Sequence, residues 1–273
     1  MTCVSECWSN REKRAEQAIK HTEKMEREYG ERIKESIQDT VCYSLKFECT
    51  NCRIKDVPTK IIIDDIDSVS AVMKYQKVTE EGRMAVLNFS SYKNPGGMFL
   101  NGSKAQEECL CHESFLYNVL SKNQGFYEWN NQHKNKSLYL DRGLYSPNIL
   151  FMRYTNGIVI NKYCDVITCA APNKSAASKY QNVSAEENTE ALKSRIKFVL
   201  DIAKRNNVET LILGAYGCGV FGQDPKEVAE IFKGYLNSSH KGCFYNVVFA
   251  IPDGKDRNLE AFREIFEGKN SDE

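Results

Sequence analysis

Residues 83–89, Arg-Met-Ala-Val-Leu-Asn-Phe, put apolar side chains on both faces of any strand they form. A strand apolar on both faces belongs in the middle of a sheet that is covered above and below. Four further runs repeat the theme: 58–63, 165–170, 208–213 and 244–251. Between them lie segments with apolar residues at helical spacing, the longest at 185–205 and others at 68–77, 226–236 and 258–266. Strands alternating with helices over 58–267 predict a three-layer α/β/α sandwich around a mostly parallel sheet. Asn148–Arg153 is a further strand. Residues 10–38 are rich in Glu, Lys and Arg, and Ala15, Ile19, Thr22, Met25, Tyr29, Ile33 and Ile37 step by three or four. They predict an amphipathic helix packed by one stripe, with a break near Gly30. We therefore divide the chain into an N-terminal helical extension (1–57), a domain (58–267) and a frayed tail (268–273).

The strand at 83–89 runs straight into Asn94-Pro-Gly-Gly97, a turn that brings backbone close to whatever it faces. Ser103-Lys-Ala-Gln106 has capping-box spacing, and a helix of about four turns is expected to follow through residue 120. Glu107 and Glu108 fall in its first turns. Successive helical residues point about 100° apart, so at most one of the two acids aims directly into a given pocket. The strand at 208–213 runs into Gly214-Ala-Tyr-Gly-Cys-Gly-Val-Phe-Gly222. Four glycines in nine residues expose backbone amides, the makings of a nest for phosphate oxygens. Pro225 then opens a helix whose positive end is expected to serve the same site. Residues 121–147 are polar and aromatic and read as a long insertion or lid.

Composition excludes several classes. Lys plus Arg equals Asp plus Glu at 37 each, so no charge excess favours nucleic acid or an anionic membrane. No run of 18 apolar residues offers a membrane span, and the N-terminus lacks the apolar core of a signal peptide. Eleven cysteines scattered through a chain large enough to build its own core suggest reduced thiols and a cytoplasmic or nuclear setting. Cys42, Cys49 and Cys52 look like half a zinc site, but no second pair at suitable spacing follows; loop thiols are the simpler reading.

Pro95-Gly-Gly97 followed by Gln106-Glu-Glu108 resembles the signature of poly(ADP-ribose) glycohydrolases, enzymes of macrodomain-like fold. GAYGCGVFGQDP at 214–225 resembles the diphosphate loop of the microbial-type branch. Ser146-Pro-Asn148, Ala170-Ala-Pro-Asn173 and Val248-Phe-Ala-Ile-Pro-Asp253 also resemble that branch, and the likeness covers about residues 30–267. The resemblance implies hydrolysis of ribose–ribose O-glycosidic bonds in poly(ADP-ribose), with ADP-ribose as product. The partner would be the polymer or an ADP-ribosylated protein, without direct nucleic-acid binding. No cofactor and no metal are implied. Removal of single ADP-ribose units and ADP-ribose binding without hydrolysis are the alternative activities. By motif position Glu108 is the general acid and base, and Glu107 holds ribose hydroxyls or fixes Glu108. Amides freed by Gly96 and Gly97 would face the diphosphate and distal ribose. Gly217, Cys218, Gly219 and Val220 would cradle the diphosphate, and Phe221 would pack on the distal ribose. Asn88 is either a ribose contact or a turn-forming Asn; Gln106 is either a ligand contact or the capping residue. His112 reads as a satisfied helix histidine. The family usually carries a third glycine where this chain has Met98, which would strain the loop if that position has positive φ.

Overall fold

The computed structural model describes residues 10–49, 58–76, 82–155 and 158–268. Cys52 lies outside them. A seven-stranded sheet forms the middle layer, in the order β1-β4-β5-β3-β6-β7-β2. The strands are β1 (Val41–Tyr43), β2 (Lys60–Asp64), β3 (Met84–Phe89), β4 (Gly143–Thr155), β5 (Ile158–Cys169), β6 (Thr210–Leu213) and β7 (Asn246–Ala250). β5, β3, β6, β7 and β2 run parallel; at one edge β4 pairs antiparallel with β5, and β1 pairs antiparallel with β4.

Side chains alternate across the sheet as a period of two requires. Ala85, Leu87, Ile167, Leu211, Leu213, Val247 and Phe249 face one core. They pack against α7 (Ala185–Arg205), α8 (Pro225–Asn237) and α9 (Asn258–Glu267). Met84, Val86, Val166, Ile212, Val248 and Ala250 face the other core. This second core is covered by α1 (Arg11–Asp39), α2 (Ser68–Tyr75), α3 (Gln106–His112), α4 (Leu116–Leu120) and α5 (Gln124–Gln132). The expected three layers are present. Among the described residues no helix is long and apolar enough to cross a membrane.

The described part of the extension is built into this domain. Asn10 caps α1 through Glu12 N and Lys13 N, and Ala18, Met25 and Ile33 are buried in the second core. The helix kinks at Tyr29, beside Gly30. Its buried stripe is rotated from the expected one: Ile19 is half exposed, whereas Arg14 and Ala18 face inward. The reason is a backbone contact. Gly102 sits so close to the carbonyl of Arg11 that no Cβ fits there, and Arg14 Nε donates to Gly102 O at 2.7 Å. At the other end, β1 pairs with β4, and Ser36 Oγ donates to Pro147 O at 2.7 Å. Ser146-Pro-Asn148 forms an irregularity in the β4–β5 ladder, with Asn148 at φ 56° and its N–H on Asp165 at 2.8 Å. Burial raises the Asp165 carboxyl's pKa above its usual range.

Residues 121–147, expected as a long insertion or lid, carry regular structure. They contain α5 and the start of β4. Trp129 stacks on His133 at 3.9 Å, and the Arg142 guanidinium lies over Trp129 at 4.4 Å. Buried Arg195 holds Asp141 at 2.7 Å and also donates to Ala170 O. The polar stretch before α7 likewise contains a helix, α6 (Lys174–Gln181), capped by the side chain of Asn173.

Candidate active site

The carboxyl ends of β3, β5 and β6 open into a cleft of about 520 Å³. One wall is the 89–108 segment and the other is Ala215–Phe221, with Tyr139 and Asn173 between them. The two motifs distant in sequence thus face each other, because β3 and β6 are paired.

Glu107 and Glu108 are both buried in the first turn of α3 and both line the cleft. Their surroundings differ. Glu107 Oε1 accepts from Asn88 Nδ2 at 3.1 Å, and its Oε2 accepts from Ser91 N at 2.7 Å. Burial pushes its carboxyl up to about 8, against the pull of hydrogen bonds from Ser91, Asn88 and the Gly96 amide. Glu108 Oε1 accepts from Met98 N at 2.8 Å, while its Oε2 has no hydrogen-bond partner. One carboxylate is held at both oxygens; the other is held at one.

The turn explains its glycines and corrects an expectation. Gly96 and Gly97 have φ of 66° and 61°. A Cβ on Gly97 would lie 2.5 Å from Glu108 Oε1 and 2.9 Å from Glu107 Oε2, and one on Gly96 would lie 2.7 Å from the Tyr117 ring. Their amides, expected to face the diphosphate and distal ribose, have partners within the protein: that of Gly96 serves Glu107, and that of Gly97 donates to Asn94 O at 3.0 Å. Gly96 does not line the cleft. Met98 has φ −109°, so its position demands no glycine.

Asn88 is fully buried and does not line the cleft; its amide group orients Glu107 and also reaches Thr168 Oγ1 at 3.3 Å. Gln106 is not a capping-box partner. Ala105 occupies the N-cap without a side-chain bond. The Gln106 side chain instead accepts from Phe89 N at 2.9 Å and donates to Leu87 O at 2.8 Å and Ser68 Oγ at 3.0 Å. It pins the end of β3 to α2 and α3, and it also lines the cleft. The expected four-turn helix is two helices, because Glu113 O accepts from Met152 N at 2.7 Å and Ser114 bridges to Phe151. His112 packs edge-on against Phe99 at 4.7 Å, away from the cleft, and burial lowers it to about 4, so the ring is neutral.

On the opposite wall, Gly217, Gly219, Val220 and Phe221 line the cleft, and among the described residues their N–H groups make no hydrogen bond. A row of unengaged amides suits phosphate oxygens. Gly217, at φ 78°, lies against Ala171 and Gln223. Cys218 does not line the cleft, and burial pushes its thiol up to about 12. The start of α8 does not contribute as expected, since Asp224 takes the amides of Lys226 and Glu227 at 2.9 and 3.0 Å. Phe221 sits edge-on to Tyr139 at 6.1 Å, and Tyr139 stacks on Tyr92 at 4.1 Å. A neighbouring cavity of about 410 Å³ shares Phe89, Gln106 and Ala215 with the cleft and ends at Asp253 and Asn258. Ser91 N, Met98 N and the Tyr92–Tyr139 pair are the parts the residue pattern did not reveal. Main-chain donors leave no residue signature, and the two tyrosines lie far apart in sequence. Among the described residues no cluster of His, Cys, Asp and Glu could hold a metal.

This arrangement matches a known family. The model of the microbial-type PARG (poly(ADP-ribose) glycohydrolase) catalytic domain matches residues 12–154, slightly more than half of the chain. The chain belongs to the microbial-type poly(ADP-ribose) glycohydrolase family. The glycohydrolase of Thermomonospora curvata is similar over 94% of this chain and 100% of its own, at 29% identity and TM-score 0.84. The same enzyme bound to the inhibitor ADP-HPD gives TM-score 0.82 at 29% identity, with the same coverage. The glycohydrolase of Deinococcus radiodurans in complex with ADP-ribose gives TM-score 0.76 at 30% identity, over 87% of this chain and 98% of its own. No curated protein matches the chain.

Proposed function

We propose that this protein hydrolyses the ribose–ribose O-glycosidic bond of poly(ADP-ribose) and releases ADP-ribose, with Glu108 as the acid and then the base. The observation that carries the assignment is the asymmetry of the two acids. Glu107 has both oxygens engaged by the protein, whereas Glu108, which lines the cleft, has one oxygen fixed by Met98 N and a buried second oxygen without a hydrogen-bond partner. That second oxygen is a buried acceptor with its hydrogen-bonding capacity unused, which a substrate hydroxyl or leaving oxygen at the cleft would satisfy.

In the first step the Glu108 carboxyl gives its proton to the 2′-oxygen of the departing unit. The C1″–O2′ bond breaks with its electron pair on oxygen, leaving an oxocarbenium-like ribose. The Glu108 carboxylate then takes a proton from water as the water oxygen bonds to C1″. The products are ADP-ribose and a polymer shortened by one unit, and Glu108 is again protonated. Ordinary glycosidases place two carboxylates on opposite sides of the bond; neighbours on one helix turn cannot. Glu107 is therefore a positioning residue in this scheme. The free amides of Gly217, Gly219, Val220 and Phe221 support the diphosphate, and the Phe221 ring covers the distal ribose. The adjoining cavity takes the adenosine, with Asp253 and Asn258 as polar partners for the base.

Incubation with purified poly(ADP-ribose) tests the reading. Free ADP-ribose is the expected product; binding without release would leave a recognition module. Release from mono-ADP-ribosylated protein alone would move the substrate to single units.

A further inference from the structure

Across the Asn94–Gly97 turn from the carboxylates lies a separate cavity of about 330 Å³, between the turn and helices α4 and α5. Lys93 lines both this cavity and the catalytic cleft, and among the described residues it is the only Lys or Arg lining the cleft. It is exposed, and among the described residues its ammonium forms no ion pair. Gln124, Tyr127, Glu128 and Asn131 of α5 face the cavity at spacings of three and four, so they form one helix face. Gln124, Glu128 and Asn131 are exposed, and among the described residues their side chains make no hydrogen bond. Tyr127 Oη is buried without a partner. Tyr117, against whose ring Gly96 packs, supplies an aromatic wall.

We infer that this cavity is the subsite for the next ADP-ribose unit of the polymer, the one that departs when the bond breaks; the inference rests on the function proposed above. The unit being released fills the cleft and its adjoining cavity. The next unit begins at O2′, beside Glu108, and continues away from the cleft. The Lys93–Gly97 turn bounds the cleft on the carboxylate side, and the cavity lies directly beyond it. An unengaged ammonium suits that unit's diphosphate, and unengaged amide groups suit its hydroxyls and base edge. Glu128 accepts from hydroxyl or amino donors and repels phosphate, so with the ribose that carries O2′ held at the turn the phosphates lie toward Lys93 and the base toward α5. The subsite contributes to holding polymer and leaves bond cleavage to Glu108.

The test compares two substrates, poly(ADP-ribose) and an ADP-ribose glycoside with a small aryl leaving group at C1″. Residues lining only the outer cavity are changed. The double variant Gln124→Glu with Asn131→Glu is expected to raise KM for polymer about tenfold, the loss of roughly one neutral hydrogen bond together with repulsion between the added carboxylates and the polymer phosphates. Its kinetics on the aryl glycoside should stay within twofold of the parent. Glu128→Lys should lower KM for polymer and leave the aryl glycoside unaffected. An unchanged polymer KM in both variants, with polymer cleaved normally by the parent, overturns the subsite alone. Parallel changes on both substrates overturn it too, as a general disturbance of the fold. A parent protein that leaves polymer intact but cleaves the aryl glycoside removes the polymer reading and the subsite with it.

Discussion

The main-chain N–H of Met98 donates to Glu108 Oε1 at 2.8 Å, so the residue that departs from the family's third glycine orients the acid through its backbone alone. The Met98 side chain points to the cleft rim and is 42% exposed. With φ at −109° the position tolerates any L-residue except proline. Met98→Gly should therefore leave kcat on polymer within about twofold, because glycine keeps the N–H and costs only backbone entropy of roughly 1 kcal/mol. Met98→Pro removes the donor and also pulls φ toward about −65°, so kcat should fall at least a hundredfold, the scale of a lost positioning bond. Steady-state kinetics of the two variants check the pair.

Gly97 behaves in the opposite way. Its φ of 61° and the 2.5 Å gap from a notional Cβ to Glu108 Oε1 leave no room for a side chain. Gly97→Ala should destabilise the protein by about 1–2 kcal/mol from the left-handed backbone alone, and should displace Glu108 enough to lower kcat at least a hundredfold. Urea unfolding and kinetics on the same sample separate the two effects.

α1 is clamped to the catalytic segment at Gly102 and Ser114. Arg14 Nε bonds Gly102 O, and His21 Nε2 lies 2.7 Å from Ser114 O. Gly102→Ala should lift α1 from the turn, since its Cβ collides with backbone that cannot move independently. Amide hydrogen exchange in α1 should speed up by one to two orders of magnitude, with a smaller fall in kcat. Unchanged exchange would mean that α1 rests on the core without help from this contact.

Glu107 makes a prediction about pH and stability. Burial raises its carboxyl from 4.5 to about 8 in the folded state. Between those values the folded protein binds a proton that the unfolded chain has released. Stability from this group is thus fully present below about pH 4.5 and is lost as pH rises through 8. The effect is on the order of a few kcal/mol. Glu107→Gln carries no such proton, so the parent should lose stability relative to the variant between pH 5 and pH 8. Urea midpoints at three pH values in that range measure the slope. A constant gap between the two proteins would contradict the assignment.

What was legible in the sequence follows from how each feature is encoded. Leu87 and Val86 announce a doubly covered strand because burial on each face is written in side chains, and Pro225 marks a helix start because it lacks the N–H that the first turn leaves unused. Glu107 and Glu108 were legible as a pair, and the helix period already showed that they could not do the same work. The capping box at Ser103 failed because β3 competes for Gln106: Phe89 N and Leu87 O at the strand end hold its amide more fully than an isolated helix start could. The helix break after His112 was hidden because the partners of Glu113 and Ser114 come from β4, far along the chain. The orienting donors of Ser91 and Met98 were invisible for a different reason. Any residue supplies an N–H, and only the fold decides where it points.

The most direct test of the account replaces Glu108 with Gln and measures two quantities on one preparation. Glutamine keeps the acceptor for Met98 N but can neither give up a proton to the leaving oxygen nor take one from water. ADP-ribose release from polymer should fall by about a thousandfold or more, while the dissociation constant for ADP-ribose by calorimetry should change less than threefold. Release within tenfold of the parent would contradict the central assignment and move the chemistry to another group.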